Sequence, residues 1–160
     1  MEELIQEQRN ALKNLCDRLN ERKVAAKIEE TGERMLLTVF LPQTEQEYFT
    51  DIFFFPQEER MEQISFCCMR TVIRDLTGIK EEDVLGFCRR ISEQNGLLPI
   101  GGYGIERTED GLHLKTLVFS ATIPVDPVIR GEKLTDTMED TLALIVQTIA
   151  QTVPELQIPV

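Results

Sequence analysis

A chain of 160 residues with 28 acidic against 17 basic side chains carries a formal charge of −11, and 42% of it is apolar. That length and balance suit a single domain, residues 1–160, with one core, and speak against wholesale disorder. A field of that sign repels phosphate backbones and anionic lipid, so it disfavours nucleic acid or a membrane as the main partner and fits a basic protein partner or simple solubility.

The first ten residues, MEELIQEQRN, are acidic and polar, the reverse of a secretory signal. No apolar run approaches the ~20 residues that a bilayer span needs, and the chain reads as cytoplasmic. Cys16, Cys67, Cys68 and Cys88 have no C-x-x-C spacing and sit among apolar neighbours, as reduced thiols do. Adjacent Cys67 and Cys68 should point to opposite faces of a strand. Trp is absent, so the core must rest on Leu, Ile, Val and the eight Phe.

In chain order, residues 3–21 place Ile5, Leu12, Leu15 and Leu19 at helical spacing, with Leu4 and Ala11 broadening the stripe, and predict an amphipathic helix. Val24 to Ile28 and Met35 to Leu41 read as a hairpin turning at Thr31-Gly32 and stopping at Pro42. Thr44-Glu45-Gln46-Glu47 has the spacing of a capping box, or is a polar loop. Tyr48 to Phe55 returns to strand composition, and Met61 to Ile73 fits a strand better than a helix because of its Cys, Thr and Val content.

Residues 81–95 begin with Glu81, Glu82 and Asp83 and carry Arg89 and Arg90 later, the charge order a helix dipole favours. Val84, Phe87, Cys88 and Ile91 form the apolar stripe, and Gly96 is placed to close the helix in the left-handed conformation. Tyr103 to Arg107 and Leu112 to Ile123 predict two strands joined at Glu109-Asp110-Gly111, with Pro124 and Pro127 ending the second. Leu134, Met138, Leu142, Ile145, Ile149 and Val153 line a long helix that should stop before Pro154. The apolar tail Leu156 to Val160 could add an edge strand. The fold class that follows is α+β: helix, strands, helix, strands, helix, with a mainly antiparallel sheet packed against helices.

Chemistry is scarce. Gly101-Gly102-Tyr103-Gly104 leads into a strand, not a helix N-terminus, so it reads as a close backbone approach before a phosphate cradle. His113 is the only histidine, read in a strand on its wet face. Asp136, Glu139 and Asp140, and Glu45, Glu47 and Asp51, are acidic groups that solvated faces explain. No catalytic set, cofactor motif or metal-ligand spacing emerges. Phe53-Phe54-Phe55 differs: three successive strand residues place a ring on each face of a sheet, so either both faces are covered or one forms an interface.

The order of elements, the stretch Ser92-Glu93-Gln94-Asn95-Gly96 before Pro99, the turn Glu109-Asp110-Gly111 and the closing acidic helix from Glu132 to Thr152 resemble the YbjN-like group of bacterial proteins, described as candidate sensory-transduction regulators. The resemblance implies a fold similar to type III secretion chaperones and a non-enzymatic, often dimeric, binding module, and it carries no catalytic residue to transfer. The expectation is a protein-binding, chaperone-like or regulatory adaptor, a homodimer by that resemblance, with Phe53, Phe54 and Phe55 as its candidate interface. A small-ligand sensor using Gly101–Gly104, or a carboxylate-dependent hydrolase, is the alternative.

Overall fold

The computed structural model describes residues 2–32, 34–41, 48–56, 65–126 and 128–159. Its elements in chain order are α1 (Glu2–Glu21), β1 (Ala26–Thr31), β2 (Arg34–Leu41), β3 (Tyr48–Phe54), β4 (Ser65–Asp75), α2 (Glu81–Asn95), β5 (Gly102–Arg107), β6 (Leu114–Val125) and α3 (Glu132–Leu156). The strands form one six-stranded sheet in the order β1-β2-β3-β4-β6-β5, and every neighbouring pair is antiparallel. The α+β reading therefore holds. The capping-box segment Thr44–Glu47, the start of the Met61–Ile73 segment, Pro42, Pro127 and Val160 lie outside the described residues.

Strand alternation decides which face is covered. Leu37, Val39, Ile52, Met69, Phe119 and Ala121 point one way and are buried together with Leu12, Leu15, Phe87, Met138 and Ile145 of the helices. α1 lies over β1, β2 and β3, α2 lies against β5, and α3 packs between α1 and α2. Arg18 of α1 pairs with Asp136 and Glu139 of α3, and Arg22 also reaches Glu139. Those carboxylates are ion-paired struts between helices. Within α3, Thr137, Thr141, Thr148 and Thr152 each donate to the carbonyl one turn earlier, which satisfies hydroxyls in a helix rich in threonine.

At the middle of the sheet Thr50 and Thr71 face each other across β3 and β4, both fully buried, with hydroxyls 2.8 Å apart. Each hydroxyl has the other as its partner. Thr71→Val is expected to cost about 1–3 kcal/mol by orphaning Thr50, whereas Thr50→Val with Thr71→Val should come close to neutral. Urea unfolding of the single and double variants checks this; strictly additive costs would show that the two hydroxyls do not share a bond.

Several expectations need correcting. Gly96 closes α2 with φ −68°, not in the left-handed region; its N–H returns to Ser92, Leu97 returns to Gln94, and the positive φ falls instead on Gly101. Pro124 lies inside β6 opposite Phe66, a position Pro tolerates because β5 pairs with β6 no further than Ser120 and leaves that flank of the strand open. His113 is in the exposed turn before β6, not in the strand. α3 continues through Pro154 to Leu156, and residues 157–159 form no strand. Proline there lies in the last turn, and the carbonyls that follow are held from outside: Arg90 of α2 donates to Leu156 at 2.7 Å and to Gln157 at 3.1 Å. Ile5 is 39% exposed and contributes little to the stripe of α1.

The sheet order also contains a repeat. α1 runs into edge strand β1, which turns inward to β2; α2 runs into edge strand β5, which turns inward to β6. The two units thus occupy opposite margins of the sheet in the same inward order. Each is fastened in the same way. Asn20, near the end of α1, accepts from the Ala26 N–H and donates to the Ala26 carbonyl, both at 3.1 Å. Asn95, at the end of α2, accepts from the Tyr103 N–H at 2.7 Å and donates to its carbonyl at 3.0 Å.

Candidate functional site

Among the described residues, the helices leave one face of the sheet bare. Leu36, Thr38 and Phe40 of β2, Phe49, Asp51 and Phe53 of β3, and Cys68, Arg70 and Val72 of β4 point to it, and Phe40 is 43% exposed. Its charged groups are largely matched. Thr38 donates to Asp51 at 3.0 Å, and the Arg70 guanidinium reaches across β6 to Glu106, with Nε 2.8 Å from the carboxylate. Among the described residues this face is otherwise apolar, with one ion pair and one side-chain hydrogen bond matching its charged groups.

Its most indented part is at one end of β2 and β3. The ladder between these strands runs from Leu41↔Tyr48 to Leu37↔Ile52 and stops there. Both strands go on: β2 stays paired with β1 as far as Arg34↔Thr31, and β3 with β4 as far as Phe54↔Cys67. The two therefore splay, and Arg34, Met35 and Leu36 stand off from Phe53, Phe54 and Phe55. A cavity of about 550 Å³ opens between them, lined also by Glu29, Thr31 and Pro56. That volume is within the range of small-ligand and peptide-anchor pockets.

The three phenylalanines divide as alternation requires. Phe54 packs against the core, Phe53 is half-buried on the bare face, and Phe55, just past the strand, is 40% exposed. Phe53 and Phe55 meet edge to face with centroids 5.5 Å apart. Opposite them Arg34 is exposed, and its guanidinium has no ion pair or hydrogen bond among the described residues. Glu29, the acid on the same wall, is held by Lys27 at 3.1 Å. The cleft thus combines aromatic walls, that cation, and backbone that has left its ladder. The phenylalanines are visible in the sequence. Arg34, Met35 and Leu36 are not, because nothing in their residue types shows where a ladder ends.

The other candidates do not assemble into a site. A side chain at Gly101 would stand 2.6 Å from the Ser120 carbonyl oxygen and 2.9 Å from the Phe119 ring, so the glycine stretch is a packing contact. Cys67 faces the core, where burial, and secondarily its neighbour Cys68, push its thiol up to about 12. Burial also raises Cys68, against the opposing effects of a hydrogen bond with Thr122 and the Arg70 charge. A redox pair needs a stabilised thiolate, which neither position provides. Asp75 and Asp110 are held below the usual carboxylate range, chiefly by hydrogen bonds from Thr77 and Thr108, as turn residues are. Among the described residues no three or more His, Cys, Asp or Glu side chains converge as metal ligands, and no helix is long and apolar enough to cross a membrane.

No family model matches the chain, and no curated protein matches it. Among solved structures it is similar to one titled "Crystal structure of YbjN, a putative transcription regulator from E. coli", with 15% identity, 88% of this chain and 89% of that chain covered, and a TM-score of 0.46. At that identity and score the similarity is one of outline only.

Proposed function

We propose that the chain acts as one non-enzymatic protein-binding domain, a chaperone-like or regulatory adaptor of a bacterial cytoplasm, with Phe53 and Phe55 at its interface. The observation that carries this reading is the splayed end of β2 and β3, where an aromatic cleft opens onto a sheet face that none of the three helices covers. Apolar surface of that kind, bordered by polar groups, is what partner-binding surfaces present. Among the described residues Asp136 and Glu139 are ion-paired to arginines, and the histidine stands alone in a turn, which favours binding over general acid–base work.

Phe55→Asp tests it. The exposed ring is expected to be dispensable for folding, so the unfolding free energy should stay within ~1 kcal/mol of the parent. Quantitative capture from the native cytoplasm should recover a partner in near-equal amount with the parent chain and lose it with the variant. The same recovery from both chains, or none from a folded parent, would overturn the reading.

A further inference from the structure

We propose that the cleft between β2 and β3 takes the C-terminal end of a partner polypeptide, an apolar extended segment whose terminal carboxylate sits on Arg34; this rests on the protein-binding reading above. Three features of the cleft select that occupant. Arg34 is a cation at the mouth whose guanidinium has no partner among the described residues, while the neighbouring Glu29 is engaged by Lys27. A guanidinium placed this way binds a carboxylate through paired, charge-assisted hydrogen bonds. The walls facing it are Met35, Leu36, Phe53 and Phe55, which suit apolar side chains just before a chain end.

The third feature separates a polypeptide from a small acid of the same chemistry. Beyond Leu37↔Ile52 the backbones of β2 and β3 no longer pair with each other, although each keeps its outer neighbour. The flanks that face the cleft therefore hold main-chain donors and acceptors with no strand opposite among the described residues. An extended peptide supplies a matching row of both, as in recognition by strand addition, and a fatty or aryl acid supplies none. The net charge of −11 adds a preference for basic or neutral residues upstream of that end, since acidic ones meet repulsion before they reach Arg34.

The test is selection of random hexapeptides displayed with free C-termini against the full chain, followed by fluorescence polarisation of the enriched peptides as acids and as C-terminal amides. Peptides ending in apolar residues are expected to be enriched. Amidation, or Arg34→Gln in the protein, should each weaken binding roughly tenfold to a hundredfold, the worth of one hydrogen-bonded charge pair. Arg34→Lys should restore part of the loss, with melting temperature unchanged in both variants because Arg34 is exposed. Binding indifferent to amidation or to Arg34→Gln would overturn the proposal, as would no enrichment. Sodium octanoate and 4-phenylbutyrate form the second arm: Arg34-dependent stabilisation by these acids with no peptide enriched would reassign the cleft to small acids and overturn the chain-end assignment. Partner capture that is lost with Phe55→Asp but insensitive to Arg34→Gln would leave the protein-binding reading standing while this one falls.

Discussion

Gly101→Ala should cost the fold about 2–5 kcal/mol, a large part of the ~5–15 kcal/mol that holds a domain together. Two effects add. Gly101 has φ +68°, a conformation that opposes any side chain, and the added methyl would press into the Ser120 carbonyl oxygen at 2.6 Å and the Phe119 ring at 2.9 Å. Neither neighbour yields easily. Ser120 is laddered to Arg70 on one side and Gly102 on the other, and Phe119 is fully buried with its ring edge-on to Tyr103 at 5.1 Å. Gly111 provides the control, since it has φ +72° but nothing within 4 Å of the place a methyl would take. Gly111→Ala should therefore lose only the conformational part, roughly 1 kcal/mol. Urea unfolding of the two variants separates strain from collision, and equal losses would show that the close approach at Gly101 is not tight.

Alkaline pH should loosen the protein well before its surface charges explain the loss. Cys67 is buried in the core with its thiol moved from 9.0 up to about 12, and Tyr103 is moved from 10.0 to about 12, chiefly by burial. Both groups keep their protons in the folded chain at a pH where the unfolded chain gives them up. Their contribution is whole below pH 9. It falls as pH rises between the unfolded and folded values, for Cys67 by about 1.4 kcal/mol per pH unit from roughly 9 towards 12. Tyr103 adds a smaller decline from pH 10. Denaturation midpoints measured under reducing conditions from pH 8 to 10.5 should fall more steeply in the parent than in Cys67→Ala, whatever the baseline cost of that replacement. Parallel slopes would mean that the thiol releases its proton as readily inside the fold as outside it.

Local signals carried much of the fold. α2 occupies 81–95 as read, because an acidic first turn and a stripe of Val84, Phe87, Cys88 and Ile91 are properties of the segment itself. Alternation at Phe53-Phe54-Phe55 placed one ring towards the core and its neighbours away from it, which needs only the two-residue period of a strand. The readings that failed depend on distant residues. Pro154 lies in the last turn of α3, and the carbonyls that end that turn are held by Arg90 from another helix. Pro124 fits within β6 because β5 stops short of it, a fact about the neighbour's length. The cleft itself lies at the junction of three ladders that end at different places, so Arg34 reads in isolation as an ordinary charged residue at a strand start.

The paired asparagines set a limit on what this sheet can become. An antiparallel sheet that does not close on itself ends in two rows of unspent backbone groups, and those rows invite a further strand from any passing chain. Asn20 and Asn95 each present one acceptor and one donor to a single residue of the outermost strand, the same pair of bonds an arriving strand would offer there. Both stand at the start of the strand they guard, at Ala26 and at Tyr103. A newcomer would have to displace a side chain already tethered by its own helix before it could take the first place in register. Lateral growth into fibres or into mispaired aggregates is thereby opposed at both margins by one repeated device, and the gap left for a visiting strand lies inside the sheet, between β2 and β3.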